Sequence, residues 1–246
     1  MLPVCCQMKK IRNLERESMV RVEPQNESNE NRRKVLVVDD HPIVREGLAD
    51  LINKEKDIAV CGWAEDIPNT IKAIKKLKPD VVTVDISLRG VSGLELIKDI
   101  RTHFPSLPIL ALSMHQESLY AERAIRAGAK GYITKEEATK KVITAIRQVL
   151  DGRLYLSEKM KEKVLHSLLG DKGSRAGASP IDRLTDRELE VFSLLGQGRG
   201  TRQIAEQLCL SVKTIETYRS RIKEKLSLNS ASELLLYAFQ WANRQV

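Results

Sequence analysis

The sequence predicts an α/β domain followed by a small all-α domain. Three observations carry that prediction. Between residues 34 and 155, short apolar runs rich in β-branched residues alternate with stretches of helical spacing. Residues 170–180, Gly-Asp-Lys-Gly-Ser-Arg-Ala-Gly-Ala-Ser-Pro, then break the pattern with small and polar residues. Beyond that break the chain reads as helical throughout. Strands that alternate with helices build a parallel sheet covered on both faces, and near-continuous apolar strands fit that sheet type.

Residues 1–33 are polar and mixed in charge, with Pro24 and a Gln/Asn/Glu/Ser cluster at 25–31, and read as a disordered arm. Within it Met1–Leu14 has the pattern of a short helix. The strands that follow are Val35–Asp39, Ile58–Ala64, Val81–Asp85, Ile109–Ser113 and Gly131–Thr134. Between them, helical spacing links Ile67, Ile71, Ile74 and Leu77, then Leu94, Ile97 and Ile100. It recurs in Leu119, Arg123 and Ala127, and in Val142, Ile146 and Val149. Five strands and five helices make residues 34–155 a (βα)5 domain. Leu156–Leu169 is a further helix, so 156–182 reads as a linker helix plus flexible linker. In residues 183–246, Thr185-Asp-Arg-Glu188 is a capping box that opens a helix, and Gly196 and Gly198 close it.

With 246 residues the chain has room for two ordinary domains. Its net charge of +8 is spread evenly along the sequence, so charge alone does not point to nucleic acid. Cys5, Cys6, Cys61 and Cys209 lack zinc-like or thioredoxin-like spacing and read as reduced thiols. There is no signal-peptide core and no apolar run long enough to span a membrane, so a soluble cytoplasmic protein without a membrane partner is expected.

The chemistry begins at Lys34-Val-Leu-Val-Val-Asp-Asp-His-Pro42, where an apolar strand runs into two adjacent carboxylates. Like charges side by side at a strand end call for a positive partner. In an open parallel sheet, ligand sites collect at the carboxyl ends of the strands. Asp39 and Asp40 end the first strand and Asp85 the third, so three carboxylates converge on one rim. A hard divalent cation with oxygen ligands answers them, and Mg²⁺ suits few carboxylates plus water and phosphate oxygens. Ser113 ends the fourth strand and Lys135 follows the fifth. This set suffices for phosphoryl transfer to a carboxylate, with Asp85 as nucleophile and acyl-phosphate carrier.

These residues also carry a resemblance. Val38-Asp-Asp-His-Pro-Ile-Val-Arg-Glu-Gly47, Asp85-Ile-Ser-Leu with Gly93 downstream, Leu112-Ser-Met-His115 and Gly131-Tyr-Ile-Thr-Lys135 resemble the receiver domain of bacterial response regulators, in particular the NarL/FixJ group. The resemblance implies a flavodoxin-like fold and phosphorylation of Asp85 by a sensor histidine kinase. It implies Mg²⁺ held by Asp39, Asp40, Asp85 and the carbonyl of Ser87. Ser113 and Tyr132 become a switch pair, in which Ser113 swings to the phosphoryl group and Tyr132 rotates inward, and Lys135 binds phosphate. The family's usual Pro is replaced in Leu88-Arg89, and Glu136 stands where many receivers have Pro.

The C-terminal region holds Thr201-Arg-Gln-Ile-Ala-Glu-Gln-Leu-Cys-Leu-Ser-Val-Lys-Thr-Ile-Glu-Thr-Tyr-Arg-Ser-Arg-Ile-Lys-Glu-Lys-Leu226. A short helix to Leu208, a tight turn holding an apolar Leu210, and a second helix capped by Ser211 give helix-turn-helix spacing. Ile215, Ile222 and Leu226 share one face of that second helix. Residues 213–225 hold five Lys or Arg against two Glu, so the basic excess is concentrated there. These segments, with Leu184-Thr-Asp-Arg-Glu-Leu-Glu-Val, resemble the four-helix LuxR-type DNA-binding domain. The resemblance implies that helix 211–226 enters the major groove of promoter DNA through Ser211, Lys213, Thr214, Glu216, Thr217, Tyr218, Arg219, Ser220 and Arg221. Lys213, Arg219 and Arg221 are assigned mainly to phosphates, and Glu216, Thr217 and Ser220 to base edges. The last helix, Ser232–Trp241, carries apolar residues suited to a homodimer contact.

The expectation is therefore a phosphorylation-controlled transcription regulator. An aspartate-nucleophile phosphatase needs an acid/base carboxylate two residues after the nucleophile, where this chain has Ser87. No Walker A motif is present to support an ATPase. A phosphate-independent regulator is disfavoured by the complete set of Asp39, Asp40, Asp85, Ser113 and Lys135.

Overall fold

The structure is a computed structural model that describes residues 32–88, 92–114, 117–158, 160–162 and 180–243. The expected arm helix, the linker helix beyond residue 162, the flexible linker up to residue 179 and Arg89 lie outside the described residues. Strands β1 (Arg33–Val38), β2 (Ile58–Ala64), β3 (Val81–Asp85), β4 (Ile109–Ser113) and β5 (Gly131–Thr134) form one sheet in the order β2-β1-β3-β4-β5. Every ladder is parallel. Helices α1 (Pro42–Asn53), α2 (Ile67–Leu77), α3 (Gly93–His103), α4 (Glu117–Ala127) and α5 (Lys135–Leu150) alternate with the strands. The flavodoxin-like α/β fold is thus present. β1 starts two residues earlier than the sequence suggests, because Arg33 pairs with Ile58, and it ends at Val38, although the Asp39 N–H still donates to the carbonyl of Ala64 at 3.1 Å.

Period-two alternation divides the core. Val35 and Val37 pack with Leu48 and Ile52 of α1 and Val142 and Ile146 of α5. Leu36 and Val38 face the other way, among Ile74 of α2, Ile97 and Ile100 of α3, and Ala124 of α4. Each such aliphatic side chain contributes about 1.5–3 kcal/mol on full burial.

The start of α3 is set by a close approach. The Gly93 N–H donates to the carbonyl of Ile86 at 2.8 Å. A Cβ on Gly93 would stand 2.0 Å from the carbonyl oxygen of Asp85 and 2.6 Å from Cα of Ile86. Gly93→Ala is therefore expected to push α3 off the end of β3. The loss should be roughly 1–3 kcal/mol of stability, read in a urea titration.

After a 3-10 turn at Pro180–Arg183 come α6 (Asp186–Gly196), α7 (Thr201–Gln207), α8 (Val212–Leu226) and α9 (Ala231–Asn243). The capping box forms as expected: the Thr185 N–H donates to Glu188 Oε2 at 2.8 Å, and the Glu188 N–H donates to Thr185 Oγ1 at 3.4 Å. Phe192 of α6 is fully buried against Tyr237 and Trp241 of α9, at ring distances of 5.9 and 5.2 Å.

α6 is buried from Arg187 through Gly196, including Arg187, Glu188, Glu190 and Ser193. A surface helix normally leaves its polar face in water. Here Glu188 pairs with Lys225 of α8 at 2.6 Å, while Asp186 and Glu190 turn towards α3 and α4. Lys98 of α3 reaches Asp186 at 3.1 Å. Arg123 of α4 donates to Asp186 at 3.0 Å, to the carbonyl of Leu184 at 2.8 Å and to that of Ile181 at 3.3 Å. The α/β and all-α parts thus pack together.

Candidate phosphoacceptor site and DNA-reading helix

Strand order reverses between β1 and β3, and a crevice opens there at the carboxyl ends. Asp39, just past β1, and Asp85, at the end of β3, are both fully buried, and Asp40 is nearly so. The sequence called for a divalent cation as the positive partner of the acidic pair; in the structure Lys135, at the start of α5, also meets the cluster. Its Nζ lies 2.6 Å from Asp39 Oδ2 and 2.7 Å from Asp85 Oδ2. The Ser87 N–H donates to Asp85 Oδ1 at 3.1 Å.

Burial pushes the Asp85 carboxyl upward in pKa; Lys135 opposes that shift and Asp39 reinforces it. Burial alone would lower Lys135, but the Asp85 and Asp39 carboxylates more than reverse this, and its ammonium is held above the ordinary range.

The ligand atoms of Asp39, Asp40, His41 and Asp85 lie within 4.8 Å of one another. Three carboxylates facing one ammonium leave a deficit of positive charge, and hard oxygen donors suit Mg²⁺. The residues therefore fit the cation. His41 was not singled out from the sequence. Its N–H donates to Asp39 Oδ1 at 2.8 Å, and its Nδ1 lies 3.1 Å from both Asp39 Oδ1 and Asp40 Oδ1. Arg45 was also missed. It donates to the carbonyl of Asp39 at 2.8 Å, pairs with Glu65 at 3.1 Å and lies 4.1 Å from the Trp63 ring centroid. It braces the loop that carries the acidic pair. An Arg one helical turn past Asp-Asp was the available signal.

Ser113 and Tyr132 end up together, although Ser113 pairs with Thr134 in the ladder and Tyr132 with Ala111. The Ser113 hydroxyl hydrogen-bonds the Tyr132 phenol, whose pKa burial nevertheless pushes up. Tyr132 is 1 % exposed. The ring thus lies inward, in the core beside Ser113.

In the C-terminal part, the turn between α7 and α8 passes through Cys209 in the left-handed region, at φ 52°, and Leu210 is half-buried. Ser211 caps α8, accepting from the Thr214 N–H at 3.0 Å. Ile215 and Ile222 are fully buried, while Lys213, Glu216, Thr217, Ser220 and Arg221 face solvent. Thr214 and Tyr218 are half-buried, and the Thr217 hydroxyl donates back to the Lys213 carbonyl at 2.9 Å. Two of the basic residues counted from the sequence are engaged elsewhere. Lys225 pairs with Glu188 at 2.6 Å, and Arg219 donates to the Thr201 hydroxyl. α9 exposes Leu235, Leu236 and Phe239.

Residues 35–147 match the response regulator receiver domain, and residues 182–238 match the bacterial regulatory proteins of the luxR family. The oxygen regulatory protein NreC of Staphylococcus carnosus is 35% identical over 210 residues, which cover 84% of this chain and 97% of that protein. This chain belongs to the NarL/FixJ-type response regulators. The response regulator GacA of Pseudomonas aeruginosa is 35% identical over 205 residues, covering 83% of this chain and 94% of its own. RcsB of Salmonella typhimurium, solved in work on conformational dynamism for DNA interaction, is 28% identical with a TM-score of 0.61, covering 85% of this chain and 98% of that one. RcsB bound to the promoter P1flhDC with the phosphomimetic BeF3- matches at 28% identity and a TM-score of 0.57, with the same shares covered. This response regulator is a phosphorylation-controlled DNA-binding transcriptional regulator. Among the described residues no helix is long and apolar enough to cross a membrane.

Proposed function

We propose that this response regulator accepts a phosphoryl group on Asp85 from a sensor histidine kinase and then binds promoter DNA through α8 as a homodimer. The observation that carries the reading is one chain holding two things: a buried Asp39–Asp40–Asp85–Lys135 cluster and a solvent-facing second helix of a helix-turn-helix. Asp39, Asp40, Asp85 and the Ser87 carbonyl would hold Mg²⁺, which when bound neutralises phosphoryl oxygens. An Asp85 carboxylate oxygen forms the new bond to phosphorus while the donor's bond to phosphorus breaks. Lys135, already on Asp85 Oδ2, takes a phosphoryl oxygen, and Ser113 exchanges Tyr132 for another. The chain serves as its own acceptor and turns over no external substrate.

The working parts are an N-terminal arm (1–33), a receiver (34–155), a linker (156–182) and a LuxR-type reader (183–246), acting in the cytoplasm. Lys213 and Arg221 contact phosphates, joined by Arg219 if it leaves Thr201. Glu216, Thr217 and Ser220 meet base edges, with Ser211, Thr214 and Tyr218 supporting. Leu235, Leu236 and Phe239 form the dimer contact.

The test is binding to a pool of genomic fragments, before and after acetyl phosphate with Mg²⁺, for wild type and Asp85→Asn. A gain of roughly 5–150-fold in affinity, seen in wild type and lost in Asp85→Asn, is expected. Identical binding in all four conditions would retire Asp85 as the control.

A further inference from the structure

We propose that the exposed lysine face of α2 is an anion-binding surface of the receiver, and that its occupant is the acidic segment of this same chain at residues 22–31.

Residues 67–78, which are α2 and the residue after it, read Ile-Pro-Asn-Thr-Ile-Lys-Ala-Ile-Lys-Lys-Leu-Lys. The stretch holds four lysines and no carboxylate. Thr70, Ala73 and Ile74 are buried, while Lys72, Lys75, Lys76 and Lys78 are exposed. Lys72, Lys75 and Lys76 stand three and four positions apart, so their charges share one side of the helix and repel each other.

Other exposed cations of the receiver have partners. Arg126 pairs with Glu122 at 2.7 Å, Lys141 with Glu137 at 2.9 Å, and Arg147 with Glu55 and Asp57, each at 2.6 Å. The carboxylates that flank α2 in sequence are already taken. Glu65 pairs with Arg45 at 3.1 Å, and Asp66 caps α2 by accepting from the Asn69 N–H at 2.8 Å. Asp80 accepts from Arg33 at 3.0 Å and from the Lys34 N–H at 2.7 Å. Among the described residues no carboxylate pairs with the four lysines of α2.

The complementary charge stands in the sequence just before β1. Residues 22–31, Val-Glu-Pro-Gln-Asn-Glu-Ser-Asn-Glu-Asn, carry Glu23, Glu27 and Glu30 and no Lys or Arg. The point where this segment joins the fold is pinned beside the end of α2. Arg32 donates to the carbonyls of Asn53 at 3.0 Å and Ile58 at 2.9 Å, and Arg33 holds Asp80, two residues past Lys78. A chain of ten residues reaches up to roughly 33 Å. The 11-residue α2 is only about 16 Å long, so the segment can cover the whole lysine face. So short a tether gives an effective concentration on the order of mM. That suffices for exposed ion pairs, each too weak to hold a free peptide. Duplex DNA is the competing polyanion, since its phosphates would take the same lysines without regard to sequence. The tethered carboxylates are favoured because they are already at the site.

The experiment uses the full chain, without phosphoryl donor or Mg²⁺, so its result does not depend on Asp85. Acetic anhydride is added in limiting amount, and acylation of each lysine is followed by mass spectrometry, with the exposed Lys140 of α5 as internal reference. A lysine beside carboxylates keeps its proton, so docking slows its acylation. Wild type is compared with the triple variant Glu23→Gln/Glu27→Gln/Glu30→Gln, whose changes lie outside both folded parts. At low salt the α2 lysines of wild type should react roughly threefold or more slowly than those of the variant, the scale of two or three exposed ion pairs. The difference should vanish near 1 M salt, where charges are screened beyond about 3 Å. In the reciprocal arm, Lys72→Gln/Lys75→Gln/Lys76→Gln should speed cleavage after Glu23, Glu27 and Glu30 by a glutamate-specific protease by a similar factor. Equal acylation in wild type and the triple variant at low salt would overturn the proposal. So would protection of the α2 lysines by a random-sequence duplex alone, which would make nucleic acid the occupant.

Discussion

Lys135→Met is expected to destabilise the receiver by about 3–5 kcal/mol at neutral pH, the range for removing one partner of a buried ion pair. The side chain is 9 % exposed and is the ammonium that meets both Asp39 and Asp85. Met keeps most of its volume, so the loss isolates charge from packing. The pH dependence has a definite sign. Asp85 is held above its ordinary pKa by burial even with Lys135 present. A carboxylate whose folded pKa is raised contributes stability below its unfolded value of about 3.9 and loses it as pH rises through the folded value. Without Lys135 the folded value climbs further. The variant should therefore gain stability relative to wild type as pH falls from 7 towards 5. Urea unfolding followed by Trp63 emission, in a Trp241→Phe background, reads this directly. Addition of MgCl₂ at pH 7 should recover much of the loss, because a divalent cation replaces the missing charge. A variant as stable as wild type at pH 7 would mean that the carboxylates are not mutually repelling in the folded chain.

The parts of this protein that were legible in its sequence are those where one physical rule acts locally. Val81-Val-Thr-Val-Asp85 reads as a buried strand because nothing in it competes with that assignment, and β3 has those bounds. The capping box at Thr185 and the serine cap at Ser211 were equally local. The acidic site followed from a topological rule: once β1 and β3 are neighbours, Asp39 and Asp85 must share a rim.

What escaped was chosen by tertiary context. The Lys135 ammonium has many possible partners on paper, and only the closed sheet places it between two particular carboxylates. Arg219 and Lys225 look like DNA contacts on a helical wheel. Thr201 and Glu188 claim them because α7 and α6 pass beside α8. Glu190 was the least legible of all. Three residues after Arg187 it resembles an ordinary surface pair, and only the docking of α6 against α3 and α4 buries it. Tyr132 shows the same limit from another side: its place on the strand beside that of Ser113 was readable, but the burial of its ring was not.

Phe192→Ala should remove the DNA-binding domain from the folded population while sparing the receiver. Phe192 has no exposed surface and is the centre of an aromatic cluster with Tyr237 and Trp241. Truncating a buried Phe costs about 3–5 kcal/mol, and no nearby side chain can collapse into the space without unseating α9 from α6. A domain of this size holds only about 3–9 kcal/mol in total, at roughly 0.05–0.15 kcal/mol per residue. Loss of sequence-specific DNA binding at 37 °C is therefore expected, together with a red shift of Trp241 emission in a Trp63→Phe background. The Asp85 site is carried by the receiver's own sheet, although the two parts share one continuous apolar cluster, and it should still take up phosphate. A Phe192→Ala chain that binds DNA normally would place the domain's stability elsewhere.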